Sequence, residues 1–140
     1  MFDVYLGGYA DIIWRGEFKG KISRDISIFD PFETTYLTFD ENEKANQIAK
    51  ELEYIENSEV IVFYMCPEWN SLYSMTQLGD AVGQGKQVVV CLEGDVESEE
   101  KIRRYCEYKG IPIVENIDDL VENVEECIGQ MEMLKSMETL

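Results

Sequence analysis

Apolar residues along the chain alternate between continuous runs and stretches with helical spacing. The runs predict five strands, at residues 2–8, 25–31, 59–65, 87–92 and 111–114. Helical spacing between the runs predicts helices at about 11–20, after Asp40, at 71–83, at 98–109 and from near Asn116. We expect the end of the last helix, after about residue 135, to fray.

The segment after Asp40 carries the clearest helix-start signal. Asp40 is followed three residues later by Glu43, which is close to a capping box. The helix that follows is expected to have one apolar face, formed by Ala45, Ile48, Ala49, Leu52 and Ile55.

Strands that alternate with helices predict an α/β fold with a parallel sheet between two helical layers. We expect a five-stranded, flavodoxin-like or Rossmann-like three-layer sandwich with strand order 2-1-3-4-5. The 140 residues contain no linker, so a single domain over residues 1–140 is predicted. Ligands of such sheets bind outside the carboxyl ends of the strands, which nominates the loops at 7–14, 30–32 and 66–77.

The charge of the chain narrows the range of partners. Its 29 acidic and 12 basic residues give a net charge of -17. Such a field repels polyanions, which argues against nucleic acid and anionic membranes and leaves a small molecule or a partner chain. Most of these charges are expected to form a solvated surface.

The chain contains no histidine, which excludes His-dependent catalytic triads and the commonest metal ligand. We expect no metal site and no cofactor. The four cysteines are widely spaced and predicted to be buried reduced thiols. The first residues, MFDVYLGG, lack the features of a signal peptide, so a cytoplasmic location is predicted.

The loop after the first strand, LGGYADIIW, is a candidate ligand site. Gly7 and Gly8 fit either a tight exit from the strand or close approach of the backbone to a ligand. The loop does not match GxGxxG, which argues against a dinucleotide site. Tyr9 and Trp14 could stack on a base, although Trp14 could equally anchor the core.

The loop and helix at residues 66–83 are richest in candidate polar groups. Asn70, Ser71 and Ser74 lie at a predicted helix N-terminus, where free N–H groups favour an anion or a sugar. Ser71 also fits a simple N-cap role. Gln77 lies two turns into the helix, on the side expected to look toward the crevice.

The order and spacing of several motifs resemble the nucleoside 2-deoxyribosyltransferase family. The helix motif SMxQLGxAxxxGKxVVV follows the segment EYIENSEVIVFYM and precedes GIPIV. The resemblance extends over nearly the whole chain, through VYLGG, ISIFDPF, ExExIENSEV and PEWNSxxSMxQLG. It is closest to a compact branch related to deoxynucleoside 5′-monophosphate N-glycosidases.

The resemblance implies a function and a set of site residues. In that family a glutamate attacks the anomeric carbon of a 2′-deoxynucleoside, and a second base or water then collects the sugar. The nucleophile position falls on Gln77. The acid that handles the departing base falls on Glu51, the orienting tyrosine on Tyr5, and the strand end that reaches the base on Asp30.

Gln77 departs from the family pattern, because a neutral amide can neither attack the sugar nor hold it as an ester. Three explanations stay open. The chain is an inactivated variant, it is a binding-only relative, or a nearby acid such as Glu68 or Asp80 substitutes. The loop residue Glu68 is also a candidate substrate contact.

A second departure concerns the substrate. Ser71 stands where the transferases often carry aspartate, and the monophosphate hydrolases use a serine there to hold phosphate. Those hydrolases also use a basic residue in the first loop, where this chain has Asp11, although Arg15 could compensate. A nucleoside transferase, a nucleotide N-glycosidase and a non-catalytic nucleoside-binding module therefore all stay open.

The resemblance also implies the partners. We expect a 2′-deoxynucleoside or deoxynucleotide, a free base, and a second copy of the chain, because relatives usually build the pocket from two subunits. The candidate interface anchors, which could equally pack in the core, are Trp69, Leu72 and Tyr73.

Overall fold

A computed structural model describes residues 2–32, 38–68 and 72–138 of the chain. The strands are β1 (Phe2–Gly8), β2 (Ile26–Phe29), β3 (Val60–Met65), β4 (Gln87–Leu92) and β5 (Ile113–Val114). The helices are α1 (Ile12–Lys21), α2 (Glu41–Asn57), α3 (Leu72–Gly83), α4 (Glu99–Lys109) and α5 (Ile117–Glu138). None of the helices among these residues is both long and apolar enough to span a membrane.

The five strands form one parallel sheet in the order β2-β1-β3-β4-β5, which confirms the predicted fold class and strand order. Helices cover both faces of the sheet. On one face α1 packs against α5, and on the other α2 packs beside α3. Strand β1 lies between β2 and β3, so the chain reverses its direction of winding beside β1.

The central strands explain why the sheet forms. Every residue of β3 is buried, and so are five of the six residues of β4, as expected for strands covered by helices on both faces. Their side chains join those of β1, including Leu6, in one core cluster. Cys66, Cys91 and Cys106 are also buried, Cys127 is half-buried, and all four are free thiols.

Strand β3 begins one residue later than predicted, and β2 and β5 are shorter than predicted by two residues or more. Local hydrogen bonds bear on the lengths of β2 and β5. The carboxylate of Asp30 accepts the N–H of Phe32, which turns the chain just after Phe29 and ends β2. The N–H of Ile111 donates to the carbonyl of Cys106 as part of the α4 C-cap, so it is not available to β5. The last helix continues past residue 135 to Glu138.

Helix α2 starts as predicted, but its apolar face does not pack into the core as the spacing of its apolar residues predicted. Asp40 and Glu43 form a complete capping box. Of the predicted apolar face, however, only Ile55 is buried. The other four residues are exposed to solvent, namely Ala45, Ile48, Ala49 and Leu52. Their common face points away from the core, and it forms an apolar surface that we call the α2 stripe.

The chain leaves β1 at the edge of the sheet where a ligand could bind, and Gly8 determines how closely it passes β3. Gly8 pairs with Tyr64 of β3 and has a φ of +107°, a conformation that favours glycine. A Cβ atom at Gly8 would lie 2.1 Å from the carbonyl oxygen of Tyr64. Only glycine therefore lets the first loop cross the end of β3 this closely.

Candidate active site

A cavity of about 460 Å³ opens at the carboxyl end of β1, on the side of the sheet covered by α2 and α3. This position is the one expected for ligands of a parallel sheet with this strand order. Its lining residues come from β1, the first two loops and three helices: Tyr5, Gly7, Gly8, Ala10, Arg15, Pro31, Phe32, Gln47, Ile48, Glu51, Tyr73, Ser74 and Gln77.

Three polar side chains from different elements converge in this cavity. The side-chain amide of Gln77 on α3 donates to the hydroxyl of Tyr5 on β1, with an N–O distance of 3.2 Å. The same nitrogen lies 3.5 Å from Oε2 of Glu51 on α2. Tyr5 and Gln77 are almost completely buried. The amide at position 77 therefore lies at the floor of the cavity, beside the acid at position 51.

Burial changes the acidity of both ionisable partners of Gln77. Burial and the neighbouring charge of Glu51 raise the pKa of the Tyr5 hydroxyl, which keeps it protonated. Burial also raises the pKa of Glu51, although hydrogen bonds from Tyr73 and Gln47 oppose that rise. A carboxyl group with a raised pKa holds a proton at higher pH, as an acid that protonates a leaving group must.

Arg15 supplies the positive charge at the cavity. Its guanidinium group donates to the carbonyl oxygens of Leu6 and Tyr9, and it forms an ion pair with Asp30 at 2.7 Å. Its Nε atom is buried and has no hydrogen-bond partner. Burial lowers the pKa of Arg15, and Asp30 opposes this change.

Asp30 lies behind Arg15 rather than in the cavity wall. Its carboxylate binds Arg15, Lys19 at 2.6 Å and the N–H of Phe32. Burial raises its pKa, but the hydrogen bond from Lys19 and the charge of Arg15 outweigh burial, and the net pKa is lowered. Its direct contacts hold the arginine in place.

Three of the predicted substrate contacts line a different cavity. Tyr9, Trp14 and Glu68 lie around a space of about 430 Å³ beside the ends of β3 and β4. Trp14 stacks on Tyr64 with a distance of 4.8 Å between ring centroids, and its indole N–H donates to the carbonyl oxygen of Tyr9. These contacts give Trp14 the structural role that the sequence left as an alternative.

The remaining predicted residues divide into two groups. Tyr5, Gly7, Gly8, Glu51, Ser74 and Gln77 line the first cavity together. Asn70, Ser71, Trp69 and the side chain of Leu72 lie outside the described residues. Ser74 is buried beside Gln77 in α3.

Sequence reasoning did not place Gln47 and Tyr73 in the site. Gln47 lies four residues before Glu51, and Tyr73 lies four residues before Gln77. Residues four apart share one side of a helix, so helical spacing applied to the two predicted site residues would have found both.

The two acids proposed as substitutes for a nucleophile do not line this cavity. Asp80 is exposed and accepts a hydrogen bond from Gln84, while Glu68 lies at the second cavity. Among the described residues, Glu51 is the only carboxylate at the cavity wall. Within that same part of the chain, no three side chains of the metal-binding types converge.

Comparisons with known proteins give one matching family model and solved structures with a similar fold. The family model described as nucleoside 2-deoxyribosyltransferase like matches residues 1–95, which include every described lining residue. No curated protein matches the chain. A conserved protein from Enterococcus faecalis V583 shares the fold, with 16% identity, a TM-score of 0.63, and coverage of 90% of this chain and 98% of that one.

A second solved structure is less similar. CapF with the inhibitor 3-isopropenyl-tropolone has 16% identity and a TM-score of 0.47, and the match covers 79% of this chain and 28% of that one. This likeness is too low to support a conclusion.

Proposed function

Since this chain belongs to the nucleoside 2-deoxyribosyltransferase-like family, a family of pentosyltransferases, we propose that its first cavity binds a 2′-deoxynucleoside. The sugar lies against Gln77 and the base lies near Glu51. One observation supports this proposal. The hydroxyl of Tyr5 and the carboxylate of Glu51 both lie within 3.5 Å of the side-chain nitrogen of Gln77, in one cavity. The volume of about 460 Å³ is typical of a small-molecule site.

The inherited reaction is transfer of 2-deoxyribose between bases. With a carboxylate at position 77, an oxygen attacks C1′, the C1′–N bond breaks, and its electron pair leaves with the base. Glu51 gives its proton to that base. An incoming base then attacks C1′, returns a proton to Glu51, and releases the carboxylate.

The chain as it stands binds without efficient transfer, because the amide of Gln77 has almost the same shape as glutamate but cannot form the ester. The shape preserves the floor of the cavity. The missing charge also removes stabilisation of the positive charge that develops on the sugar.

A base-exchange assay tests this proposal. The wild-type chain and Gln77→Glu are incubated with a 2′-deoxynucleoside and a different free base, and the new nucleoside is quantified. We expect Gln77→Glu to raise the rate at least about a hundredfold, as a restored key group does. Gln84→Glu is the matched control, because it adds the same charge near the end of the same helix, outside the cavity lining.

The outcome that counts against the proposal is specific. If Gln77→Glu is folded and binds the deoxynucleoside but exchanges bases no faster than the wild type, position 77 is not the nucleophile position. An equal gain in Gln84→Glu would show that added charge, rather than its place, is responsible.

A deoxynucleoside 5′-monophosphate N-glycosidase is the second candidate function. The positively charged side chain of Arg15 lines the cavity, which favours an anionic group. Two observations argue against a phosphate-binding site. Asp30 already neutralises the charge of Arg15, and the chain is strongly acidic overall. Release of deoxyribose 5-phosphate from a monophosphate in the same assay identifies this activity.

We also propose that the chain assembles with itself. The α2 stripe is an exposed apolar surface, and one member, Ile48, lines the cavity. A second copy packed on this surface would cover the stripe and narrow the mouth of the cavity. Tyr73, one of the predicted interface anchors, is 41% exposed at the same mouth.

A further inference from the structure

Tyr73 connects the two helices that flank the cavity. It lies one turn before Gln77 on α3, and its hydroxyl donates to Oε2 of Glu51 on α2 at 2.9 Å. The side chain is 41% exposed and also lines the cavity. Tyr73 therefore lies at the mouth, whereas Gln77 lies at the floor.

The hydrogen bond from Tyr73 is the shortest one that Glu51 accepts from the described residues. Gln47 donates to Oε1 at 3.4 Å, and Gln77 donates to Oε2 at 3.5 Å, both near the limit for a hydrogen bond. A short hydrogen bond to a carboxylate is stronger than a long one. Loss of Tyr73 would leave Glu51 with two weak donors.

We infer that Tyr73 is a positioning residue that holds the carboxylate of Glu51 against Gln77 and keeps it from turning toward solvent. Its relevance to catalysis rests on the proposed function, but the contact itself does not. The family resemblance assigns Tyr73 no role at the site, and its sequence position predicted only an interface or core residue.

The surroundings of Glu51 determine what the loss of Tyr73 should do. The groups that face it are Gln47 on its own helix, Gln77 and Tyr73 on α3, Tyr5 on β1, and Arg15 on α1. Of these, Arg15 and the donors favour the ionised carboxylate, and burial opposes it. Removal of the Tyr73 hydroxyl therefore raises the pKa of Glu51.

Tyr73→Phe tests the inference because it removes only the hydroxyl. Glutamate side-chain carboxyl carbons are labelled, the Glu51 resonance is assigned by its loss in Glu51→Gln, and its titration is followed by NMR. We expect the pKa of Glu51 to rise by about 0.5 to 1 unit in Tyr73→Phe, the scale of one hydrogen bond to a partly exposed charge. Tyr108→Phe is the matched control, because Tyr108 is 86% exposed on α4 and does not line the cavity.

An unchanged Glu51 titration in folded Tyr73→Phe overturns the inference. So does an equal shift in Tyr108→Phe, which would indicate a general effect of losing a tyrosine hydroxyl. This measurement needs no substrate, so it succeeds or fails independently of deoxynucleoside binding. In the Gln77→Glu background, a positioning role also predicts that Tyr73→Phe lowers kcat more than it raises KM and shifts the pH profile upward with Glu51.

Discussion

At position 77 the same pocket can accommodate an amide or a carboxylate, and the Tyr5 hydroxyl explains why. A hydroxyl both donates and accepts hydrogen bonds, so Tyr5 accepts from the amide of Gln77 and could donate to a glutamate instead. Its raised pKa keeps the proton that such a donor needs. The exchange of one residue for the other therefore costs little packing and chiefly changes charge.

A carboxylate at position 77 would also change Glu51. The two groups would lie about as close as the amide and Glu51 do now, at 3.5 Å. Two carboxylates at this separation resist double ionisation, so the pKa of the pair is raised and one proton is retained. Gln77→Glu thus supplies the nucleophile and also strengthens Glu51 as the acid, which is the division of roles that transfer requires.

Glu51→Gln is expected to stabilise the fold at alkaline pH. Because burial raises the pKa of Glu51 above its unfolded value, its contribution to stability is greatest at low pH and is lost as pH rises through the folded pKa. Removing the charge should raise the Tm by about 2–4 °C at pH 8, roughly 1 kcal/mol for a functional-site change in a chain of this size. Thermal unfolding followed by circular dichroism at pH 8 and pH 4 measures it.

The rise in Tm caused by Glu51→Gln should become smaller toward pH 4, because wild-type Glu51 is increasingly protonated there. Glu53→Gln, an exposed change on the same helix, is the control and should leave the Tm nearly unchanged. A gain from Glu51→Gln that is the same at both pH values would contradict the assignment of a buried, destabilising charge.

At the scale of elements, the apolar pattern of the sequence predicted the strands, but it did not predict how α2 packs. A continuous apolar run such as VIVFYM in β3 has one stable place in an α/β fold, between two helical layers. An apolar face on a helix shows only that something should cover it. In α2 only Ile55 reaches the core, and the pattern alone could not show that the rest would stay exposed.

The sequence likewise predicted the location of some site residues and not of others. Tyr5, Glu51 and Gln77 were predicted because they match a motif pattern, and the structure brings them together. Tyr9 and Trp14 were nominated by their loop and their aromatic rings, and both line the second cavity, whereas Gly8 and Ala10 of the same loop line the first. The position of a residue in the loop therefore predicted that it lies at the carboxyl edge of the sheet, but it did not predict which cavity the residue lines.

The α2 stripe should hold copies of the chain together in solution. The double change Ala49→Glu and Leu52→Glu places two charges on the stripe at residues that do not line the cavity. We expect the dissociation constant of the assembly to rise at least about tenfold, since each charge would have to be desolvated in the interface. Analytical ultracentrifugation over a concentration series measures this change.

Met137→Glu serves as the control, because Met137 is 62% exposed on α5 and outside the stripe. It should leave the assembly state unchanged. A wild-type chain that is monomeric at all concentrations would refute the interface, and so would an assembly that resists the double change but dissociates with Met137→Glu.

At the scale of the whole molecule, two cavities of similar size lie near the carboxyl ends of the strands and share the first loop between them. The first contains a buried cation, one acid and a buried amide, while the second is lined by four acidic residues and by no lysine or arginine among its described residues. In a chain with a net charge of -17, a neutral nucleoside approaches the first cavity without the repulsion that a phosphate meets. From charge alone, we therefore expect the proposed site to bind a nucleoside more readily than its monophosphate.

A crystal structure of the wild-type chain soaked with a 2′-deoxynucleoside tests the central claim most directly. If the amide at position 77 prevents transfer of the sugar, as proposed, the bound nucleoside is not consumed during the soak. We expect the sugar in the first cavity, with C1′ about 3–3.5 Å from the side chain of Gln77 and the base within hydrogen-bond reach of Glu51. A nucleoside bound in the second cavity, or one whose sugar points away from Gln77, would contradict the account.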